Sequence, residues 1–454
     1  MNNLKVRSLF FMLIATNVFA NDSDFYTSAR AILGDMVEIE STREKGLATS
    51  VSKYAESVLL NNGFEKGDLE VVGPAEASKG LYAIYRGRSS QDPVIVMAHI
   101  DVVPAVKDSW ITNPFKMTEI DGFLHGRGTS DNKAGAAGLV ATFARLRSEG
   151  FIPQNDIIML LTGDEETGMQ SIRYFKDNYK NVQNAAFALN SDGGYLTGTM
   201  DNPEAFRLQS AEKVYFTVTL TANNRGGHSS IPRKDNAIYD LADAIKKIQE
   251  FDFPISLNQT TRATLEFSMK DANESEKSQM NLILNEVQQE YELLKKDPEM
   301  NALTRTTCVA TKLKGGHAEN ALPVSAIATV NCRLVPQDDP NEVLSKIRNL
   351  VGDNIVVTPN ADVRKSPASP ITDEILELIS SSMDPIFPDL AIVPTMSTGA
   401  TDAIELRSNG VPVYGTSAMM TDPTGYRGHG LNERIEISAF NATLDFWYTL
   451  MKQL

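Results

Sequence analysis

Val94-Ile95-Val96-Met97-Ala98-His99-Ile100-Asp101 decides the fold. Its first five residues are apolar without alternation, the pattern of a strand covered on both faces of a sheet. The run ends abruptly in a His and an Asp. Working outward, the pattern repeats. Residues 157–161, 185–189 and 411–414 are further compact apolar runs, and residues 134–147, rich in Ala and Gly, read as a helix. Residues 25–62 read as helical ahead of them. Buried strands alternating with helices predict an α/β fold around a mainly parallel sheet.

The chemistry-bearing residues fall where those runs end. Asp164-Glu165-Glu166 follows the second run and Ser191-Asp192-Gly193-Gly194 the third; His429-Gly430 comes after the fourth. Between the first two, Gly126-Arg127-Gly128-Thr129-Ser130-Asp131 leads into the helix. In open α/β sheets, ligands bind beyond the carboxyl ends of the strands. The topology therefore gathers these groups at one edge, where desolvated charges need partners. Taken singly, each cluster has a plainer reading. A lone His is ordinarily a hydrogen-bonded core residue, paired Glu residues a solvated loop, and Asp131 a helix N-cap. Co-occurrence favours chemistry, because two of only five His residues lie in these positions. Imidazole with carboxylate suits zinc, and also cobalt or manganese. Asp101, two residues beyond His99 on the same side of a strand, is placed to orient that imidazole.

The middle of the chain reads differently. Residues 214–221 alternate, as do those around Cys308 and Cys332, while residues 236–249 and 341–350 have the spacing of amphipathic helices. This predicts an α+β unit with a half-exposed antiparallel sheet, inserted into the α/β domain. The expected division is 21–210 and 367–454 for the α/β part and 211–366 for the insertion. Residues 271–296 are charged and read as a helical elaboration on its surface.

Residues 1–20 read as a signal peptide. Lys5 and Arg7 precede a short apolar core at 9–15, and Val18-Phe19-Ala20 offers a cut before Asn21. The expected location is periplasmic or secreted; an uncleaved anchor is the plainer alternative. A net charge of -15 argues against nucleic acid or an anionic membrane as partner. Export permits a disulfide between Cys308 and Cys332, on strands either side of one loop; two buried thiols are the alternative.

The succession His99-Ile-Asp-Val-Val-Pro104, Gly126-Arg-Gly-Thr-Ser-Asp-Asn-Lys133, Asp164-Glu-Glu-Thr-Gly168, Gly227-His-Ser-Ser-Ile-Pro232, Asn320-Ala-Leu-Pro323 and His429-Gly430 resembles the co-catalytic zinc metallopeptidases. That group includes glutamate carboxypeptidase, carnosinase, aminoacylase and succinyl-diaminopimelate desuccinylase. The resemblance implies a zinc-peptidase catalytic domain carrying an inserted α+β lid and dimerisation domain, and two divalent ions. Asp131 would bridge them, with His99 and Asp192 completing one site and Glu166 and His429 the other. The peptide after Asp131 would be cis, and Glu165 the general base. His228 would stabilise an oxyanion, commonly from the partner of a homodimer. Asn320, Arg364 and Gly399 would bind substrate. His125 and His317 match no ligand role, and Arg333 reads as structural. Residues 271–296 exceed the family's shorter lid. The expected reaction is cleavage of an amide bond in a small peptide, or alternatively in an N-acyl amino acid. A non-catalytic binding protein is disfavoured because every proposed ligand is intact.

Overall fold

The computed structural model describes residues 22–360 and 365–454. The signal-peptide segment and Arg364 lie outside them. At the centre is a nine-stranded sheet. The strand Ser89–His99 pairs in parallel with Asn155–Thr162 on one side and Phe187–Asn190 on the other, and Val413–Gly415 extends the parallel array. These are the four runs read as buried strands, and their inner residues are almost wholly without solvent contact. Antiparallel strands Gly80–Tyr85 and Leu69–Val72 finish one flank. On the other, Asn202–Glu212 meets Val413–Gly415 antiparallel and pairs in parallel with Ala391–Ser397.

The register sets the site. His99 stands opposite Thr162, Met97 opposite Asn190, and Asn190 opposite Gly415. The parallel strands therefore end level, and the loops that follow leave from one edge. Helix Lys133–Ser148 packs across the sheet, buried on nearly every side. Its Ala and Gly residues fit because the helix is covered by its neighbours Asp22–Glu38 and Ile437–Met451 as well as by the sheet. Gly135 is required: a Cβ there would meet Asn132 Oδ1 and Ser191 Oγ at 2.2 Å. Lys133, fully buried, donates from Nζ to the carbonyls of Met36 and Ile39 at 2.9 and 2.8 Å. It thus satisfies carbonyls that the end of helix Asp22–Glu38 leaves open.

Two expectations need correction. Residues 25–62 are not one helix: Asp22–Glu38 and Ala48–Asn61 are separate, and the connection turns at Gly46, φ 64°. Residues 271–296 are not a plain surface helix either. They belong to a group of short helices over residues 259–304 with its own core of Ile255, Leu265, Ile283, Tyr291 and Leu294. Its helix Gln259–Ser268 packs on the strand Ala391–Ser397, and Thr264 Oγ1 donates to the Pro394 carbonyl at 2.8 Å. Apolar periodicity gives the helices but not the sheet edge against which they fold.

A second sheet is built from Thr307–Gly315, Ser325–Leu334, Val214–Asn223 and Ile355–Pro359, all antiparallel. Alternate residues of its two central strands are buried. Helices Ala237–Glu250 and Pro340–Val351 pack with it around one core. Cys308 faces Cys332 across the outer pair of strands, and the two are disulfide-bonded.

Candidate metal centre

Asp131 organises the site. Its Oδ1 lies 2.9 Å from His99 Nε2, and its Oδ2 lies 3.3 Å from His429 Nε2. The two oxygens of one carboxylate thus face different imidazoles. Each imidazole has a further carboxylate: His99 Nε2 is 3.8 Å from Asp192 Oδ1, and His429 Nε2 is 2.9 Å from Glu166 Oε1. Among the described residues, ligand atoms of His99, Glu165 and Asp192, and of His99, Asp131 and Glu166, gather within 4.8 Å of one another. Two imidazoles and four carboxylates converge, a donor set that suits divalent cations.

The electrostatics of the protein alone agree. Burial opposes a charged His99, but the carboxylates of Asp192, Asp101 and Asp131 outweigh it and hold the imidazole well above its ordinary range. Hydrogen bonds to Asp131 and Glu166 push His429 up to about 10. Burial pushes Asp192 up to about 7. Glu165 is raised well above the carboxylate range, first by burial and then by Asp192. Burial would raise Asp131, but hydrogen bonds from both imidazoles hold it far below. Asp192 and Glu165 both lie near His99, but burial outweighs its pull and keeps them raised.

The supports are local. The Asp131–Asn132 peptide is cis. Asn132 accepts from Ser191 Oγ at 2.8 Å, tying the start of the helix to the loop that carries Asp192. Asp101 stands beside His99 as expected: its carboxylate Oδ1 lies 3.6 Å and its backbone carbonyl 3.0 Å from His99 Nδ1. The same carboxylate accepts from the amides of Glu165 and Glu166, both at 3.1 Å. It therefore sets the turn that aims those two side chains apart.

The remaining candidates lie elsewhere. His228 and Asn320 are exposed on the two-stranded ribbon Gly227–His228 with Ala321–Leu322, and the Asn320 carbonyl accepts from the Ser229 amide at 3.0 Å. They are brought together, while the hydrogen bonds of the His228 ring are to Ser230. Gly399 follows the strand Ala391–Ser397, its amide donating to Ser397 Oγ at 3.0 Å. His125 is buried and its basicity is lowered, chiefly by that burial.

Three participants escape the sequence reading. Glu433, fully buried, accepts from the amides of Ser130 and Asp131 at 2.8 and 2.9 Å and pairs with Arg127 at 2.5 Å. Arg127 also donates to the Gly430 carbonyl at 3.0 Å. This pair clasps the Asp131 loop to the His429 loop. The hydroxyl of Tyr426 donates to Asp131 Oδ2 at 2.8 Å. Arg127 and Glu433 stand within quoted or adjoining motif residues, but nothing in their spacing announces a pair 306 positions apart.

Comparison with known proteins fits this geometry. Peptidase family M20/M25/M40 matches residues 95–453. Human N-fatty-acyl-amino acid synthase/hydrolase PM20D1 is 32% identical over 82% of this chain and 76% of that protein. A probable succinyl-diaminopimelate desuccinylase of Staphylococcus aureus is 26% identical over 78% of this chain and 80% of its own. Among solved structures, the M20 metallo-carboxypeptidase Sso-CP2 from Sulfolobus solfataricus superposes with a TM-score of 0.66 at 20% identity, covering 94% of this chain and 98% of that one. Human carnosine dipeptidase 1 gives 0.66 at 16%, covering 96% and 98%. The order of motifs along the chain, the parallel sheet that ends beneath them and the match across residues 95–453 lead to one conclusion: this chain belongs to peptidase family M20/M25/M40, a family of metal-dependent hydrolases.

Proposed function

We propose that this enzyme hydrolyses the amide bond of N-acyl amino acids, using two divalent cations, zinc in the first instance. The observation that carries the metal reading is Asp131, whose two oxygens each face a different imidazole. His99, Asp192 and Asp131 would hold one ion, and Glu166, His429 and Asp131 the other. Bound there, such ions lower the pKa of water and offset charge on an amide oxygen. Glu165, adjacent to both His99 and Asp192, receives the proton of the attacking water and returns it to the leaving amine. His228, on its exposed ribbon, would reach the oxyanion from the partner of a homodimer, and Asn320, Gly399 and Arg364 would bind substrate. The leader at residues 1–20 would place the enzyme in the periplasm or outside the cell.

The acyl preference rests on the likeness to the human N-fatty-acyl-amino acid synthase/hydrolase, a relative at 32% identity. A small peptide is the second reading, favoured by the 28% identity to a probable carboxypeptidase S-like protein of Dictyostelium discoideum. Both split an amide by the same chemistry. The test is a panel of N-acyl amino acids and dipeptides, with and without chelator, on native enzyme and on Glu165→Gln. Chelator abolishes turnover, and Glu165→Gln keeps its metal but loses about 10²–10⁴-fold in kcat. Turnover indifferent to chelator refutes the metal mechanism; a near-native kcat in the variant places the base elsewhere.

A further inference from the structure

Two residues beyond Gly399, the side chain of Thr401 stands in the middle of a buried chain of hydrogen bonds. One end of that chain is the ion pair of Glu212 with Arg407; the other is the backbone amide of Asp192. We propose that Thr401 and Glu212 are positioning residues for the metal centre, holding the Asp192 loop so that its carboxylate faces the ion that His99 and Asp131 would also bind. The proposal rests on the two-ion reading above and adds to it the residues that set the affinity of one ion of the two.

The connections are continuous. Thr401 Oγ1 donates to Glu212 Oε1 at 2.6 Å and accepts from Asn190 Nδ2 at 3.2 Å. Asn190, the last residue of the strand Phe187–Asn190, accepts through Oδ1 from the Asp192 amide at 3.0 Å. Gln209 supports the same loop. Its Nε2 donates to Glu212 Oε1 at 2.8 Å, and its side chain lies so close to Gly193 that a Cβ there would meet it at 2.9 Å. One carboxylate oxygen of Glu212 thus governs contacts to Asp192 and to the residue after it. Asp192 Oδ1 lies 3.8 Å from His99 Nε2, so a shift of this loop moves a donor of the centre itself. Groups that hold a metal's ligands in place commonly set its affinity.

Charge gives the chain its direction. A carboxylate only accepts, so the single proton of the Thr401 hydroxyl is spent on Glu212. Its lone pairs are left to accept, one from Asn190 and one from the Ala403 amide at 3.2 Å. Asn190 must then turn its NH2 to Thr401 and its oxygen to the Asp192 amide. Arg407 holds the charge on Glu212. Its Nη1 lies 3.2 Å from Glu212 Oε2, while its Nη2 and Nε donate to the Val413 carbonyl at 2.7 Å and to Ser369 Oγ at 3.2 Å. A buried ion pair is weak evidence of stability, because apolar residues of similar volume commonly do as well. Orienting Asn190 is what an apolar replacement could not do.

The experiment titrates metal-stripped protein with Zn²⁺ in competition with a chelator, which resolves the two ions by affinity. Asp192→Asn and His429→Ala identify which step belongs to which ion. Thr401→Val, with native volume and no hydroxyl, weakens the Asp192 ion about 10–100-fold and leaves the other as in native protein. Thr401→Ser restores it. In Asp192→Asn protein, Thr401→Val adds no further loss. Both ions weakened alike, neither weakened, or an equal further loss in Asp192→Asn protein marks a role confined to folding and overturns the proposal. Asn190→Ala cuts the chain at its other end without inserting volume, and carries the same prediction where Thr401→Val does not fold. If native protein binds two ions and these variants leave both affinities unchanged, the positioning role fails alone. If native protein does not bind two ions, the paired-cation reading fails and takes this proposal with it.

Discussion

The carboxylate of Asp131 illustrates what a residue's position does that its type cannot. Asp before a helix is ordinarily a cap, and helix Lys133–Ser148 has no side-chain cap. The carboxylate is turned instead toward His99 and His429. What frees and aims it is the clasp of Glu433 and Arg127, both nearly or wholly without solvent contact. Removing one member of such a pair leaves a buried charge uncompensated. Glu433→Gln should cost about 3 kcal/mol in chemical denaturation; a loss below about 1 kcal/mol would mean the clasp is worth no more than a surface pair. The metal-free histidines give a pH prediction with a definite sign. His429 is raised to about 10, so at neutral pH it carries a proton that an incoming cation must displace. Apparent metal affinity should therefore rise with pH from neutrality toward 10, with proton release on binding. Calorimetry in buffers of differing ionisation enthalpy measures that release; uptake without released protons contradicts the assignment of His429. The convergence of His99, Asp131, Glu166, Asp192 and His429 was legible in the sequence because each stands at the end of a buried strand or in an extended motif. The Arg127–Glu433 clasp was not, because a buried ion pair leaves no local pattern.

At the scale of elements, apolar runs located the four parallel strands well, since burial on both faces leaves no ambiguity of period. Residues 185–189 and 411–414 fell within one or two residues of the ends of Phe187–Asn190 and Val413–Gly415. Helical periodicity was less informative. It ran through the turn at Gly46 and gave no indication that the helices at 259–304 fold on the strand Ala391–Ser397, because the partner of an apolar face is a long-range fact. The outer strand Thr307–Gly315 raises a separate matter. Its residues beyond Cys308 are exposed, and among the described residues it pairs on one side only, with Ser325–Leu334. The Cys308–Cys332 bond pins it across a separation of 24 residues. Closing a loop of that length constrains the unfolded chain by about 3 kcal/mol. Replacing both Cys residues by Ser should lower stability by that order while metal content is kept. Unchanged stability would mean that the strand is held by its hydrogen bonds alone.

At the scale of the molecule, the proposed metal ligands come from the end of the strand Ser89–His99 and from four loops, gathered where the parallel strands of the nine-stranded sheet end. No helix among the described residues is long and apolar enough to cross a membrane. Beyond the second sheet, a short two-stranded ribbon carries His228, with Asn320 beside it, both exposed. That architecture makes the proposed paired cation site the feature on which the functional reading depends. The most direct measurement is a titration of metal-stripped protein with Zn²⁺ or Co²⁺, following bound metal and amide hydrolysis together, on native chain and on Asp131→Ala. The account predicts saturation at two ions per native chain with turnover restored, and loss of tight binding at both positions in the variant, since one carboxylate serves both. Saturation at a single ion with full activity, or an Asp131→Ala chain that still binds two ions tightly, would contradict it.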